Sequence, residues 1–155
     1  MDRGERVCGL LDRERNCAEA MVESFADAVG VSAEVVLPAA TPFGAGIGRT
    51  GNVCGLVSGA AFVLGLAVGP RDPSDLGTKE RSYALVAELV RGVEESLGSI
   101  RCTDILGADL GDPEDRRRAI EDGRFPNRCR AAVTEVVAVL EGLLDRAAPH
   151  GEEHG

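Results

Sequence analysis

The chain of 155 residues has no tryptophan, and aromatic side chains make up only 3 % of it. A core without large rings has to be filled by Leu, Val, Ala and Ile, which favours closely packed helices over a sandwich. No stretch of any length alternates apolar and polar residues as a half-buried strand does, and there is no internal repeat. The longest apolar run, Val53–Val68, is interrupted by Ser58 and by glycines. It falls short of the roughly 20 residues a membrane-spanning helix needs. Basic residues are in deficit: 17 Lys plus Arg stand against 26 Asp plus Glu, a formal net charge of −9. Phosphate and anionic lipid attract basic surface, so no nucleic acid and no membrane is expected as a partner. The two histidines, His150 and His154, both fall in the polar tail and are discounted as ligands. A Cys-His or Ser-His catalytic pair therefore lacks its base. The N-terminal MDRGERVCGLLDRER is charged and has no long apolar region, so a signal peptide is not expected and a cytoplasmic protein is.

What is present reads as a single all-α domain over residues 1–147, a bundle of about five to six helices, with residues 148–155 as a disordered tail. The length suits one domain with a real core. Val7, Leu10, Leu11, Cys17, Met21, Val22 and Phe25 follow helical spacing and predict one helix over residues 5–29, ended by Gly30. Cys8 falls on the polar face of that helix and reads as a surface thiol. Ser32 predicts the cap of a short helix, Ala33–Ala40. A fourth amphipathic helix is expected at about Thr78–Leu97, with Tyr83, Val86, Leu89, Val90, Val93 and Leu97 inward. Ser99–Gly111 reads as irregular. Asp112-Pro113 is a helix start, with Asp as N-cap and Pro at N1, and Arg116, Arg117 and Arg118 form a solvated face. Phe125-Pro126-Asn127 opens the last helix, which runs to about Arg146.

Phe43–Gly69 organises the rest. Its first half is a loop rich in glycine, with Gly44, Gly46, Gly48 and Gly51 around Arg49 and Thr50. Such a loop reaches positive φ and lets other backbone come close. Its second half is a helix of small and aliphatic residues. Gly51, Gly55 and Gly59 recur every four residues and predict a close helix neighbour, within the chain or across a homodimer interface. Cys54 sits where loop and helix join. A helix start has free N–H groups and the positive end of the dipole, which biases a thiol there toward thiolate.

The chain has five cysteines. In a reducing compartment they point to metal or redox chemistry rather than structural disulfides. Cys17 and Cys129 fall on apolar helix faces, and Cys54 and Cys102 fall in or beside loops. A buried cysteine is often a small hydrophobe and nothing more. Four of them, two in helix N-terminal turns, favour a joint site. The long gaps between them do not form the paired C-x₂₋₄-C knuckles of a zinc site. GxxxxGK[ST] is absent, so there is no P-loop. GAGIGRTG only partly matches a dinucleotide fingerprint, since its third glycine is misplaced and no strand precedes it.

Asn16-Cys17-Ala18, then Gly46, Gly48, Arg49, Gly51, Val53, Cys54, Gly55, Gly59 and Ala60, then Cys102 with Gly107, then Cys129 after Phe125-Pro126, together resemble the redox-active family named for its C…GCAxxG…C…C pattern. The resemblance covers about Arg13–Leu144, with Leu56 where the family usually has alanine. That family is similar to one domain of the split-Soret cytochrome c proteins, helical dimers that carry haem and an iron–sulfur cluster. The resemblance implies an all-helical bundle, an iron–sulfur cluster, [2Fe–2S], on Cys17, Cys54, Cys102 and Cys129, a homodimer, and electron transfer with a redox partner that the sequence does not identify. Gly46, Gly48, Arg49 and Gly51 would form the loop of that site. Haem does not carry over, because no C-x-x-C-H occurs. The alternatives are a metal-free thiol–disulfide protein in which Cys54 pairs with another cysteine, and a non-catalytic helical protein with buried cysteines.

Overall fold

Apolar side chains recurring every third or fourth residue, punctuated by Asn, Asp and Gly, give eight right-handed helices in the computed structural model, which describes residues 1–148. They are α1 (Arg3–Leu11), α2 (Cys17–Phe25), α3 (Ala33–Ala40), α4 (Gly55–Val68), α5 (Leu76–Leu97), α6 (Cys102–Leu106), α7 (Pro113–Glu121) and α8 (Arg130–Ala147). Among the described residues there is no strand, only one isolated bridge between Val53 and Arg101. The all-α class stands, with more helices than the five to six expected. Residues 149–155, most of the tail and both histidines, lie outside the described residues. No helix among the described residues is long and apolar enough to cross a membrane.

The additional helices arise where the sequence reading ran elements together or left them out. The helix expected over residues 5–29 breaks after Leu11, and Glu14 takes φ 68. The chain restarts at a capping box: the Asn16 side chain accepts the Glu19 N–H at 2.9 Å, and the Glu19 carboxylate accepts the Asn16 N–H at 3.0 Å. Gly30 does close the end of α2's turn, in the left-handed region at φ 70. Ser32 holds the N-cap position of α3 without a capping hydrogen bond. Asp75 and Asp112 do cap, Asp75 accepting from Thr78 and Asp112 from Glu114 and Asp115. Cys102–Leu106 is helical rather than irregular; five residues are too few to show a period. Tyr83 is 62 % exposed, not inward, and Leu85 takes the buried position beside Leu89 and Val93.

Two cores result. The main one joins α1, α2, α3, α4, α5 and α8 around Met21, Phe25, Leu56, Leu64, Leu89 and Leu140, all essentially inaccessible to water. Within it α2 packs most extensively against α4. The glycines of α4 explain why: a Cβ at Gly55 would stand 2.9 Å from the Cys17 Cβ, and one at Gly59 would stand 2.9 Å from the Met21 Cβ. The close neighbour is thus α2 of the same chain. Gly51 lies before the helix and faces Thr103 instead. The second core is small: Cys102, Leu106, Ala108, Leu110 and Ala119, with Ala45, Phe125 and Cys129 against it. It forms a cap of α6, α7 and the wide turn Phe125–Cys129 that leads into α8.

Candidate functional site

Three of the four cysteines singled out in the sequence sit at the start of a helix, and the fourth sits where a wide helical turn passes into one. Cys17 is the first residue of α2, held there by the Asn16–Glu19 box. Asn16 also donates to the Thr41 carbonyl at 3.0 Å, and the Thr41 hydroxyl donates to Glu19 at 2.7 Å, which ties the glycine loop to this helix end. Cys54 is the N-cap of α4. Cys102 is the first residue of α6. Cys129 ends the wide turn from which α8 continues. Wide turns of this kind are uncommon and recur at functional sites.

Backbone hydrogen bonds lock two of the four together. The Cys54 N–H donates to the Ile100 carbonyl at 2.8 Å, and the Cys102 N–H donates to the Asn52 carbonyl at 2.7 Å. Thr103 adds its N–H and hydroxyl to the Gly51 carbonyl, at 3.2 and 2.9 Å. From the other side, Arg124 reaches back to the Gly107 carbonyl and holds the wide turn against α6.

The glycine loop is a left-handed turn. Ala45, Gly46, Ile47, Gly48 and Arg49 all have φ between 53 and 69. Three of these are not glycine, and left-handed backbone costs such residues about 1–2 kcal/mol each. Gly46 is required twice over: its φ is 68, and a Cβ there would stand 2.8 Å from the Cys102 Cβ and 2.7 Å from the Asn52 nitrogen. The strained loop therefore presses directly on the strand of chain that carries Cys102. Of the four loop residues expected at the site, Gly46 and Gly51 brace Cys102 and Thr103. Gly48 and the exposed Arg49 point elsewhere, and the loop's only contribution to the cavity wall is Ala45.

Cys17, Cys54, Cys102 and Cys129 all line one cavity of about 270 Å³. Its remaining walls are mostly apolar, including Leu11, Ile105, Leu106, Phe125 and Pro126, with Asp12, Arg15 and Arg130 at the edge. Cys54 belongs to the main core and Cys17 packs on it; Cys102 belongs to the small core and Cys129 packs on it. The cavity is the seam between bundle and cap, with two thiols from each. Sequence reading did not find Phe125, Pro126 or Ile105 as walls, or Arg130, whose guanidinium pairs with Asp12. The Asn16-x-x-Glu19 box was a legible signal for the start at Cys17.

All four thiols are free. Burial pushes Cys54 up to about 11, against the N–H groups of Leu56 and Val57, which donate toward its sulfur and pull it down. The expected thiolate bias of Cys54 is thus overturned: desolvation exceeds the helix start. Burial, then the neighbouring Cys54 and Cys129, push Cys102 up to about 12. Cys17 and Cys129 act on each other across the cavity: the neighbouring Cys129 thiol, then burial, hold Cys17 well above the usual thiol range, and the Cys17 thiol lowers Cys129. Cys8 is half-buried against the main core rather than on open surface, beside Arg130, and does not line the cavity. Among the described residues no three Cys, Asp, Glu or His side chains converge closely enough to grip a single metal ion.

The model of one family, described as Putative redox-active protein (C_GCAxxG_C_C), matches residues 15–143. No curated protein and no solved structure matches the chain.

Proposed function

The chain belongs to the C_GCAxxG_C_C family, and from that membership we propose that it is a redox protein holding an iron–sulfur cluster, of the [2Fe–2S] type, on Cys17, Cys54, Cys102 and Cys129. One observation carries the reading: four free thiols from four separate elements line one cavity of about 270 Å³. The donor set suits a cluster better than a lone ion. In a cluster the thiolates bind different irons, so they stand apart; a lone tetrahedral ion needs all four within about 2.3 Å of itself, and no such convergence exists among the described residues.

When bound, such a group supplies one-electron transfer. The protein's share is to hold and tune it. Cys17, Cys54 and Cys102 are all held above the usual thiol range and so are protonated at neutral pH, and loading releases their protons to solvent. The N–H groups of Leu56 and Val57, aimed at the Cys54 sulfur, stabilise negative charge there. The helix starts at Cys17 and Cys54 place their positive dipole ends at the same cavity, each about half an elementary charge at most. Leu11, Ile105 and Phe125 keep water off.

A second reading rests on the free thiols of Cys17 and Cys129, which line the same cavity and shift each other's titration. Those two thiols could close to a disulfide, giving two electrons and two protons to an oxidised thiol carrier. Single Cys→Ala variants, reconstituted anaerobically and analysed for iron, decide between the readings. The cluster reading expects each of the four substitutions to abolish iron binding and Cys8→Ala to leave it intact. Iron content unchanged in all four, with a redox-dependent loss of two thiols confined to Cys17 and Cys129, transfers the case to the disulfide.

A further inference from the structure

We propose that the groove beside the cysteine cavity docks an acidic one-electron carrier protein, which exchanges electrons with the group held by the four cysteines; this rests on the cluster reading above. The groove, about 470 Å³, runs between the left-handed loop and α7. It shares Asn16, Ala45 and Phe125 with the cysteine cavity, so these three side chains are the wall between the two. A carrier seated here stands one side chain away from the cysteine cavity.

Charge chooses the partner. The chain carries a net −9, yet no acidic residue lines this groove, and two arginines do. Arg49 and Arg116 have no carboxylate partner among the described residues. An acidic face meets complementary charge at this place and repulsion over most of the remaining surface. Another copy of the chain, itself strongly acidic, is disfavoured by the same repulsion. The groove also has outward apolar anchors. Ile120 is 63 % exposed, and on the adjoining loop Ile47 and Phe43 are 44 % and 37 % exposed. Arginine with scattered large apolar groups is the composition of a protein interface. A small ligand in the groove would leave Ile47 and Phe43 in water, because these two stand outside it. The open, mixed surface suits the small, transient contacts of electron carriers. One electron leaves the carrier, which is oxidised, and enters the site, which is reduced; no bond breaks.

The test uses the reconstituted protein with two probes, a reduced acidic [2Fe–2S] ferredoxin and the basic protein cytochrome c. Each rate is divided by the rate of reduction by dithionite, which needs no docking. At low salt Arg49→Glu/Arg116→Glu should lower the normalised ferredoxin rate by about tenfold or more, with the loss shrinking at high salt. Ile120→Ser should lower it at every salt concentration. Arg91→Glu, the same charge change away from the groove, should not. Equal losses for Arg91→Glu, no loss for the double variant, or a preference for cytochrome c would overturn the docking surface while dithionite reduction keeps the cluster reading. If dithionite reduces nothing, the cluster reading has failed, and titration with a redox-inert gallium-substituted ferredoxin decides the surface separately. Binding weakened by the double variant supports it, and no binding ends it.

Discussion

Adding a single methyl to each glycine of α4 tests the packing that positions Cys17. At Gly65 an ideal Cβ meets nothing within 4 Å. At Gly55 it meets the Cys17 Cβ at 2.9 Å and the Ala18 backbone nitrogen at 3.0 Å; at Gly59 it meets the Met21 Cβ at 2.9 Å and the Ala18 carbonyl at 3.1 Å. Two opposing effects set the sign. Alanine in a helix is favoured over glycine by roughly 0.5–1 kcal/mol. Overpacking a filled interface costs roughly 1–3 kcal/mol, and here the obstruction is partly backbone, which cannot swing aside. Gly65→Ala should therefore stabilise by about 0.5–1 kcal/mol, while Gly55→Ala and Gly59→Ala should destabilise by roughly 1–2 kcal/mol net. Gly55→Leu should cost more than either. Urea unfolding followed by circular dichroism reads this as shifts of the midpoint in opposite directions at constant slope. If Gly55→Ala and Gly59→Ala stabilise as Gly65→Ala does, α2 does not lie against this face and the placement of Cys17 is wrong.

Other outcomes follow from single features. Ile47→Gly relieves a β-branched residue at φ 64 and should stabilise by about 1 kcal/mol; a loss of stability in thermal unfolding would contradict the left-handed loop. The Ser24 hydroxyl is fully buried without a hydrogen-bond partner, so Ser24→Ala should be neutral or stabilising by up to about 1–2 kcal/mol, and a clear drop in melting temperature would show that it has a partner. Cys54 and Cys102 have thiol pKa values raised to about 11 and about 12. Their protonated forms are favoured in the fold, so the stability they contribute is complete below the unfolded thiol pKa of about 8.5 and is lost as pH climbs through the folded values. The metal-free protein should weaken between about pH 8.5 and 12, and Cys54→Ala should flatten that slope in a denaturant series; a pH-independent midpoint would refute the burial of these thiols. Because the cavity joins bundle to cap, loading it with iron and sulfide should slow amide exchange in α6 and the Phe125–Cys129 turn more than in α5. Uniform protection would place the group elsewhere.

The helical class was legible because residues such as Leu89, Val93, Val133, Val136 and Leu140 repeat at helical spacing and end up buried. The two-part core was not. α6 is too short for periodicity, and its place is set by backbone bonds from Cys54 and Cys102 to carbonyls some fifty residues away, which no local pattern encodes. The first helix was misread for a different reason: Leu11 and Cys17 keep helical spacing across a break, and only the Asn16–Glu19 cap marks the restart. Tyr83 followed the apolar pattern yet stays exposed, since its ring can keep its hydroxyl in water at no cost. The four cysteines were legible as residues. That they pair off across a seam, two on the bundle and two on the cap, depended on tertiary structure. So did the thiol chemistry of Cys54, where a helix start argued for thiolate and burial outweighed it.

The central claim is that these four thiols hold one iron–sulfur group. The most direct measurement is the visible absorption of protein purified without oxygen, together with its iron and acid-labile sulfide content. The account predicts a coloured protein with sulfur-to-iron charge-transfer bands and iron and sulfide in equal amounts, lost when any one of Cys17, Cys54, Cys102 or Cys129 is replaced and kept when Cys8 is. A colourless, iron-free protein that stays so after anaerobic reconstitution, with all five thiols reactive once unfolded, would contradict it.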